Sequence, residues 1–188
     1  MLSSAVSKWS VTGRPCGLTE TLGSCNLLVT CNYPDALVEM RADSGQLVRT
    51  IKLQSHIKCL NHALQLTTGQ YVVCHGFDVD DFYQVCMVDV EGRVTHSYSG
   101  RPGCGVGQLN YPRHLAVDED SQYIFVADWQ NNKVALLSPR LELVREFSDG
   151  VTEPYRLYFH QKTGCLFVGQ YNGRDVFAIQ AVVDVTCF

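Results

Sequence analysis

The sequence predicts an all-β protein built from repeats of one four-stranded antiparallel meander, and three observations predict it. Between Tyr111 and Phe147, four short apolar runs are separated by Asp118-Glu-Asp-Ser121, Gln130-Asn-Asn132 and Ser138-Pro-Arg140, which is how strands joined by tight turns read. The pattern recurs along the chain at a spacing of 42 to 52 residues, the length of one four-stranded unit. The strands carry apolar residues on both alternating sets, Tyr123, Phe125 and Ala127 on one and Ile124 and Val126 on the other, so both faces of each sheet need cover. Sheets stacked face to face around an axis supply that cover, and the expected fold is a β-propeller. A plain sandwich would leave one face of each sheet polar.

The units follow in order. The first begins at Pro15-Cys-Gly-Leu18 and continues through Leu27–Cys31, Ala36–Met40 and Leu47–Ile51. The second places His62 on His114, Tyr71 on Tyr123 and Gly76 on Asp128 at a shift of 52, and Val85 on Val134 at 49, so its second connection is three residues longer. The third is the clearest: Tyr111–Asp118, Gln122–Asp128, Lys133–Leu137 and Leu143–Phe147. A shift of 42 puts Pro112 on Pro154, His114 on Arg156 and Val134 on Val176, giving a fourth unit with Tyr155–Phe159, Cys165–Val168 and Val176–Ile179. From the third-strand valine to the end of the fourth strand the distance is 13 residues in three copies, Val38 to Ile51, Val85 to Tyr98 and Val134 to Phe147. The expected blades span residues 12–51, 57–98, 109–147 and 153–185 of a single propeller region covering 1–188.

Gly103-Cys-Gly-Val-Gly-Gln-Leu-Asn-Tyr-Pro112, then Arg113-His-Leu-Ala-Val-Asp118, Ile124-Phe-Val-Ala-Asp128 and Asn131-Asn-Lys-Val134 resemble the NHL repeat. The resemblance fades through residues 153–179 and 57–98 to 15–51, and together these stretches cover nearly the whole chain. It implies a propeller whose relatives mostly have six blades, and that often forms the substrate-recognising or RNA-recognising end of tripartite-motif ubiquitin ligases. Four units fill 188 residues, whereas six at this period need roughly 260. The expectation is therefore a partial or open propeller that closes by self-association or belongs to a longer protein, since bare blade faces invite aggregation.

Composition narrows the function classes. With 46% hydrophobic residues, the chain is ordinary for a globular domain. Its net charge of −4 gives no global attraction for nucleic acid or an anionic membrane. Charged and polar residues interrupt every apolar run before it reaches a membrane-spanning length, and Lys8 falls where a secretory leader would need an apolar core. The nine cysteines are scattered without a Cys-x-x-Cys, so reduced thiols in a cytoplasmic protein are expected.

Repeat-equivalent positions carry the candidate sites. His62, His114 and Arg156, with Gly17 in the first copy, each immediately precede the first strand of a blade, so they should ring one mouth of the central channel. Such groups can bind an anion or an acidic partner; the structural alternative is hydrogen bonding to carbonyls of the neighbouring blade. Tyr33, Phe77, Trp129 and Tyr171 follow the second strands, with Lys133 and Arg174 nearby. A ring of aromatics beside cations can stack single-stranded RNA bases and pair phosphates, or simply pack between blades. Zinc catalysis would need three protein ligands, and the mouth supplies two histidines and an arginine, with His56, His75, His96 and His160 elsewhere; no metal or other cofactor is expected. Asp78, Asp80 and Asp81 lack the ligand spacing of a calcium loop. Gly100–Gln108 lacks the helix that a phosphate loop needs and reads as a connection between blades. Asp128 should cap the turn amides that follow it, with Asn32 doing the same in the first copy.

No Gly-x-Ser-x-Gly elbow and no repeated carboxylate pair is present. The expected function is that of a non-catalytic scaffold that binds a protein partner. The resemblance makes it a ubiquitin-ligase-like recognition module without a RING finger. Single-stranded RNA binding and a metal-dependent lyase or lactonase are the alternatives.

Overall fold

The computed structural model describes residues 7–77, 82–98 and 103–180, and within them the chain is a four-bladed β-propeller of antiparallel sheets. Blade 1 is β1 (Arg14–Glu20), β2 (Asn26–Asn32), β3 (Ala36–Arg41) and β4 (Leu47–Lys52). Blade 2 is β5 (Leu60–Gln65), β6 (Tyr71–Phe77), β7 (Phe82–Val88) and β8 (Val94–Tyr98). Blade 3 is β9 (Pro112–Val117), β10 (Ile124–Asp128), β11 (Lys133–Leu137) and β12 (Leu143–Phe147). Blade 4 shows β13 (Pro154–His160), β14 (Cys165–Gln170) and β15 (Val176–Gln180). The end of the fourth unit expected from sequence, residues 181–185, lies outside the described residues.

The order within each sheet is sequential, as a meander requires, and the first strands β1, β5, β9 and β13 pack on one another along the axis. Apolar residues on both faces explain the stacking. In β6, Val73 faces blade 1 with Leu28 and Ile51, while its neighbours Val72 and Cys74 face blade 3 with Leu115 and Val126. Phe125 stacks on Phe159 at 5.3 Å between blades 3 and 4, inside a cluster with Leu157 and Leu166. The two end blades differ. The outer face of blade 1, with Val29, Val38 and Met40, is packed by Val11 from the segment before β1. On the outer face of blade 4, Tyr158, Phe167 and Val176 are exposed.

One irregularity repeats in every blade. The pairing of the first with the second strand skips a residue, and the residue skipped is Cys16, Asn61, Arg113 or Tyr155. These are β-bulges at one repeat position, each leaving a residue outside the ladder and bending the strand. The residue two before the bulge in blades 2 to 4 is Cys59, Tyr111 or Glu153, each in the left-handed region at φ +54°, +62° and +43°, a conformation that non-glycine residues adopt only under outside constraint. That constraint is visible. The carbonyls of Cys59, Tyr111 and Glu153 accept from the backbone N–H groups of Gly76, Trp129 and Tyr171, at or just beyond the ends of the second strands. The Asp35 carboxylate and the Asn132 side-chain carbonyl of the preceding blade take the N–H groups of Cys59 and Glu153. Entry into the inner strands of blades 2 to 4 is thereby fixed to the adjoining segment.

Candidate functional site

The bulges and the loops after the second strands meet at one end of the axis. There they enclose a funnel of about 430 Å³ lined by Arg14, Tyr33, Asn61, Arg113, Tyr155 and Arg156, among others. The bulge residue of each blade reaches its neighbour. Cys16 Sγ donates to the Leu60 carbonyl at 3.1 Å, and Asn61 Nδ2 donates to the Pro112 carbonyl at 3.0 Å. Arg113 donates to Asn61 Oδ1 at 3.1 Å and lies over the rings of Tyr111, Trp129 and Tyr155 at 4.8, 5.0 and 5.8 Å. The guanidinium is thus held by π faces and a neutral amide, which fix its orientation without cancelling its charge. Arg156 lies 4.4 Å over the Tyr155 ring and donates to the Tyr155 carbonyl.

The three residues expected to ring one mouth separate. Arg156 lines the loop-face funnel, whereas His62 and His114 line a second cavity of about 550 Å³ at the opposite end. The imidazoles stack at 3.7 Å, and the room for His62 comes from Gly17, where a Cβ would meet the His62 ring at 3.2 Å. The histidines do bridge neighbouring blades, but as acceptors. His62 Nδ1 takes the Leu115 N–H and His114 Nδ1 takes the Leu157 N–H, both at 3.3 Å, so at these nitrogens the neighbouring blade supplies N–H groups where carbonyls were expected. With Nδ1 accepting, the ring proton sits on Nε2, and His62 Nε2 is buried without a hydrogen-bond partner. Burial, together with the nearby charge of Arg156, pushes the His114 pKa down to about 4, and burial first, then His114 and Arg156, holds His62 well below the usual histidine value.

The aromatic ring expected from Tyr33, Phe77, Trp129 and Tyr171 does not form around the axis. Tyr33 stands by itself at 77% exposure. The side chain of Phe77, with Asp78, Asp80 and Asp81, lies outside the described residues. Trp129 packs edge-on against Tyr111, Tyr155 and Tyr171 at 5.6, 6.4 and 5.3 Å, so it works between blades 3 and 4, while Tyr171 stays half exposed. Arg174 is exposed on the same loop face.

Lys133 is corrected too. It is 5% exposed and pairs with Glu146 at 2.7 Å, with Asp128 at 3.7 Å and with the Gly105 carbonyl. Its register explains this: Lys133 sits directly across from Asp128 in the β10–β11 ladder, and a fully buried carboxylate requires a compensating charge. Asp128 caps no turn amide. It accepts from the Asn110 N–H at 2.6 Å and from Asn131 Nδ2 at 2.7 Å, and burial raises its pKa to about 7. Asn32 likewise bonds the next blade rather than its own turn, through the N–H and carbonyl of Leu60. The glycine-rich connection folds onto this cluster, with Gly107 N–H on Glu146 and the Gly103 carbonyl on Asn131. Among the described residues no group of three or more His, Cys, Asp or Glu is placed to hold a metal ion, and no helix is long and apolar enough to cross a membrane.

Sequence reasoning missed Arg14, Tyr111, Arg113 and Tyr155. The aligned Pro15, Pro112 and Pro154 are the signal for Arg113 and Tyr155, because the residue after each proline is the bulge residue that reaches the funnel or its rim, while Arg14 and Tyr111 stand directly before two of these prolines.

Comparison with known proteins shows the fold. No protein-family model matches the chain, and no curated protein matches it. Among solved structures, a protein of unknown function from Bacteroides caccae aligns with a TM-score of 0.52 at 13% identity, over 89% of this chain and 61% of that one. Kuenenia stuttgartiensis hydrazine synthase aligns with a TM-score of 0.64 at 15% identity, over 95% of this chain and 49% of that one. The chain thus spans less than two thirds of the length of either, and what is shared is the propeller architecture.

Proposed function

We propose that the chain is a non-catalytic binding scaffold that recognises a protein partner at its loop-face mouth. The observation that carries this reading is a recognition surface set on a locked frame: Tyr33 at 77% exposure borders the arginine-lined funnel and Tyr171 at 49% packs on its lining residue Tyr155, while the Tyr171 N–H is bonded to the Glu153 carbonyl and Asn32 and Asp35, on either side of Tyr33, bond the entry to β5. Exposed tyrosine and arginine on a rigid base are the side chains that dominate interface energetics. Through the resemblance to the NHL repeat, the finer reading is the substrate-recognising part of a ubiquitin-ligase-like protein. Single-stranded RNA remains the second reading. The observation favouring it is the shared exposure of Tyr33, Tyr171 and Arg174 on one face, and burial of Lys133 removes one of the cations it drew on.

Selection of a displayed random-peptide library on the purified chain tests this. Peptides should be enriched by the wild type, and the double variant Tyr33→Ala and Tyr171→Ala should lose them by tenfold or more, as hot-spot truncation does. Equal enrichment by the double variant, or none by the wild type, would overturn the reading. Binding of a homopolymeric single-stranded RNA that falls steeply with salt would transfer it to RNA.

A further inference from the structure

We infer that the loop-face funnel is a receptor for carboxylate side chains, and that the segment it takes is an acidic peptide; this rests on the scaffold reading of the same mouth. Arg14, Arg113 and Arg156 line one cavity of about 430 Å³, and no Asp or Glu is among its lining residues, in a chain whose net charge is −4. The ion pairs formed among the described residues use Arg41, Arg49, Arg93 and Lys133, and none uses a funnel arginine. Arg113 and Arg156 are instead oriented by neutral groups, Asn61, the Tyr155 carbonyl and aromatic faces. Arg113 Nε is buried with no hydrogen-bond partner. Unneutralised guanidinium groups held at fixed angles match a planar carboxylate, which accepts paired N–H donors.

An acidic peptide fits better than a nucleic acid strand. The ring faces of Tyr111 and Tyr155 that border the funnel are covered by Arg113 and Arg156, which leaves Tyr33 as the one uncovered ring among the lining residues, too few to stack successive bases.

The test is fluorescence anisotropy with labelled hexaglutamate, hexaglutamine and a six-nucleotide homopolymeric RNA on the full chain. Hexaglutamate should bind, hexaglutamine should bind at least about tenfold more weakly, and added salt should weaken the hexaglutamate complex. Arg14 and Arg156 are exposed, so the double variant Arg14→Gln and Arg156→Gln should keep the wild-type melting curve while losing tenfold or more in hexaglutamate affinity. Arg140→Gln, at an exposed turn of blade 3, should change nothing. Equal binding of the two peptides, tighter binding of RNA than of hexaglutamate, or full binding by the double variant would overturn the inference. Library peptides that need Tyr33 and Tyr171 but carry no acid, together with silence toward hexaglutamate, would overturn it while leaving the scaffold reading standing. Silence toward every peptide would remove both.

Discussion

The two ends of the channel draw on neighbouring repeat positions and reach opposite electrostatic results. At the loop face, Arg113 and Arg156 present guanidinium groups, which proteins do not deprotonate, and π faces, an amide and a carbonyl orient them beside the funnel. At the far end, His62 and His114 are packed ring on ring against the next blade and lose their charge. Whether a channel residue is a ligand group or a strut is therefore decided by how deeply the backbone seats it. Residue type alone does not decide it, and His114 and Arg156, equivalent in sequence, fall on opposite sides of that division.

The largest expected way to break this contrast is Gly76→Ala. Gly76 lines the funnel at φ +126°, and a Cβ there would lie 2.1 Å from the Phe82 carbonyl oxygen. With both strain and a backbone clash, a loss of about 2–4 kcal/mol is expected, read as a lowered denaturant midpoint.

The next effects appear in the pH dependence of stability, and the two ends pull in opposite directions. His114 has a folded pKa of about 4, below its unfolded value near 6.5. Its contribution is full above the unfolded value and is lost as pH falls toward 4. Asp128 has a folded pKa of about 7, above its unfolded value near 3.9. Its contribution is full below the unfolded value and is lost as pH rises toward 7. Asp128→Asn should therefore make the chain more acid-sensitive between pH 4 and 7 than the wild type, as measured by urea midpoints across that range. His114→Phe should flatten the acid limb while costing about 1–3 kcal/mol near neutrality, because the Leu157 N–H loses its acceptor. Parallel wild-type and variant profiles would sink either assignment.

The smallest stability effect belongs to Arg156→Gln. An exposed side chain held by one ring and one carbonyl should cost no more than about 0.5 kcal/mol, while hexaglutamate binding drops. A large destabilisation would make Arg156 a strut like its histidine equivalents.

The architecture was legible because its signal is local. Period-two apolar runs and the spacing from Val38, Val85 and Val134 to their fourth-strand partners follow directly from strand geometry. The site was legible only in part. Arg156 and Tyr33 reach the funnel, but Lys133 does not, because its burial follows from a cross-strand partner, Asp128, that becomes visible only once the register is known. Tyr155 and Arg113 were missed because a bulge adds a residue, and the alternation of faces that governs a regular strand fails at that point. Trp129 was placed on the right face, but its exposure was set by Tyr111, Tyr155 and Tyr171 arriving from other segments.

The four bulge positions have a consequence for how such a mouth can change. A first-strand residue inside the ladder answers to the second-strand residue across from it, so replacing it disturbs the sheet. Cys16, Asn61, Arg113 and Tyr155 stand outside that register, and a sulfhydryl, an amide, a guanidinium and a phenol already occupy the same backbone geometry. Each blade thus contributes one character to a four-letter address written at the axis. Exchanging a character to admit a different guest leaves the ladder of its own blade intact, and what must be matched anew is its bond to the neighbouring blade.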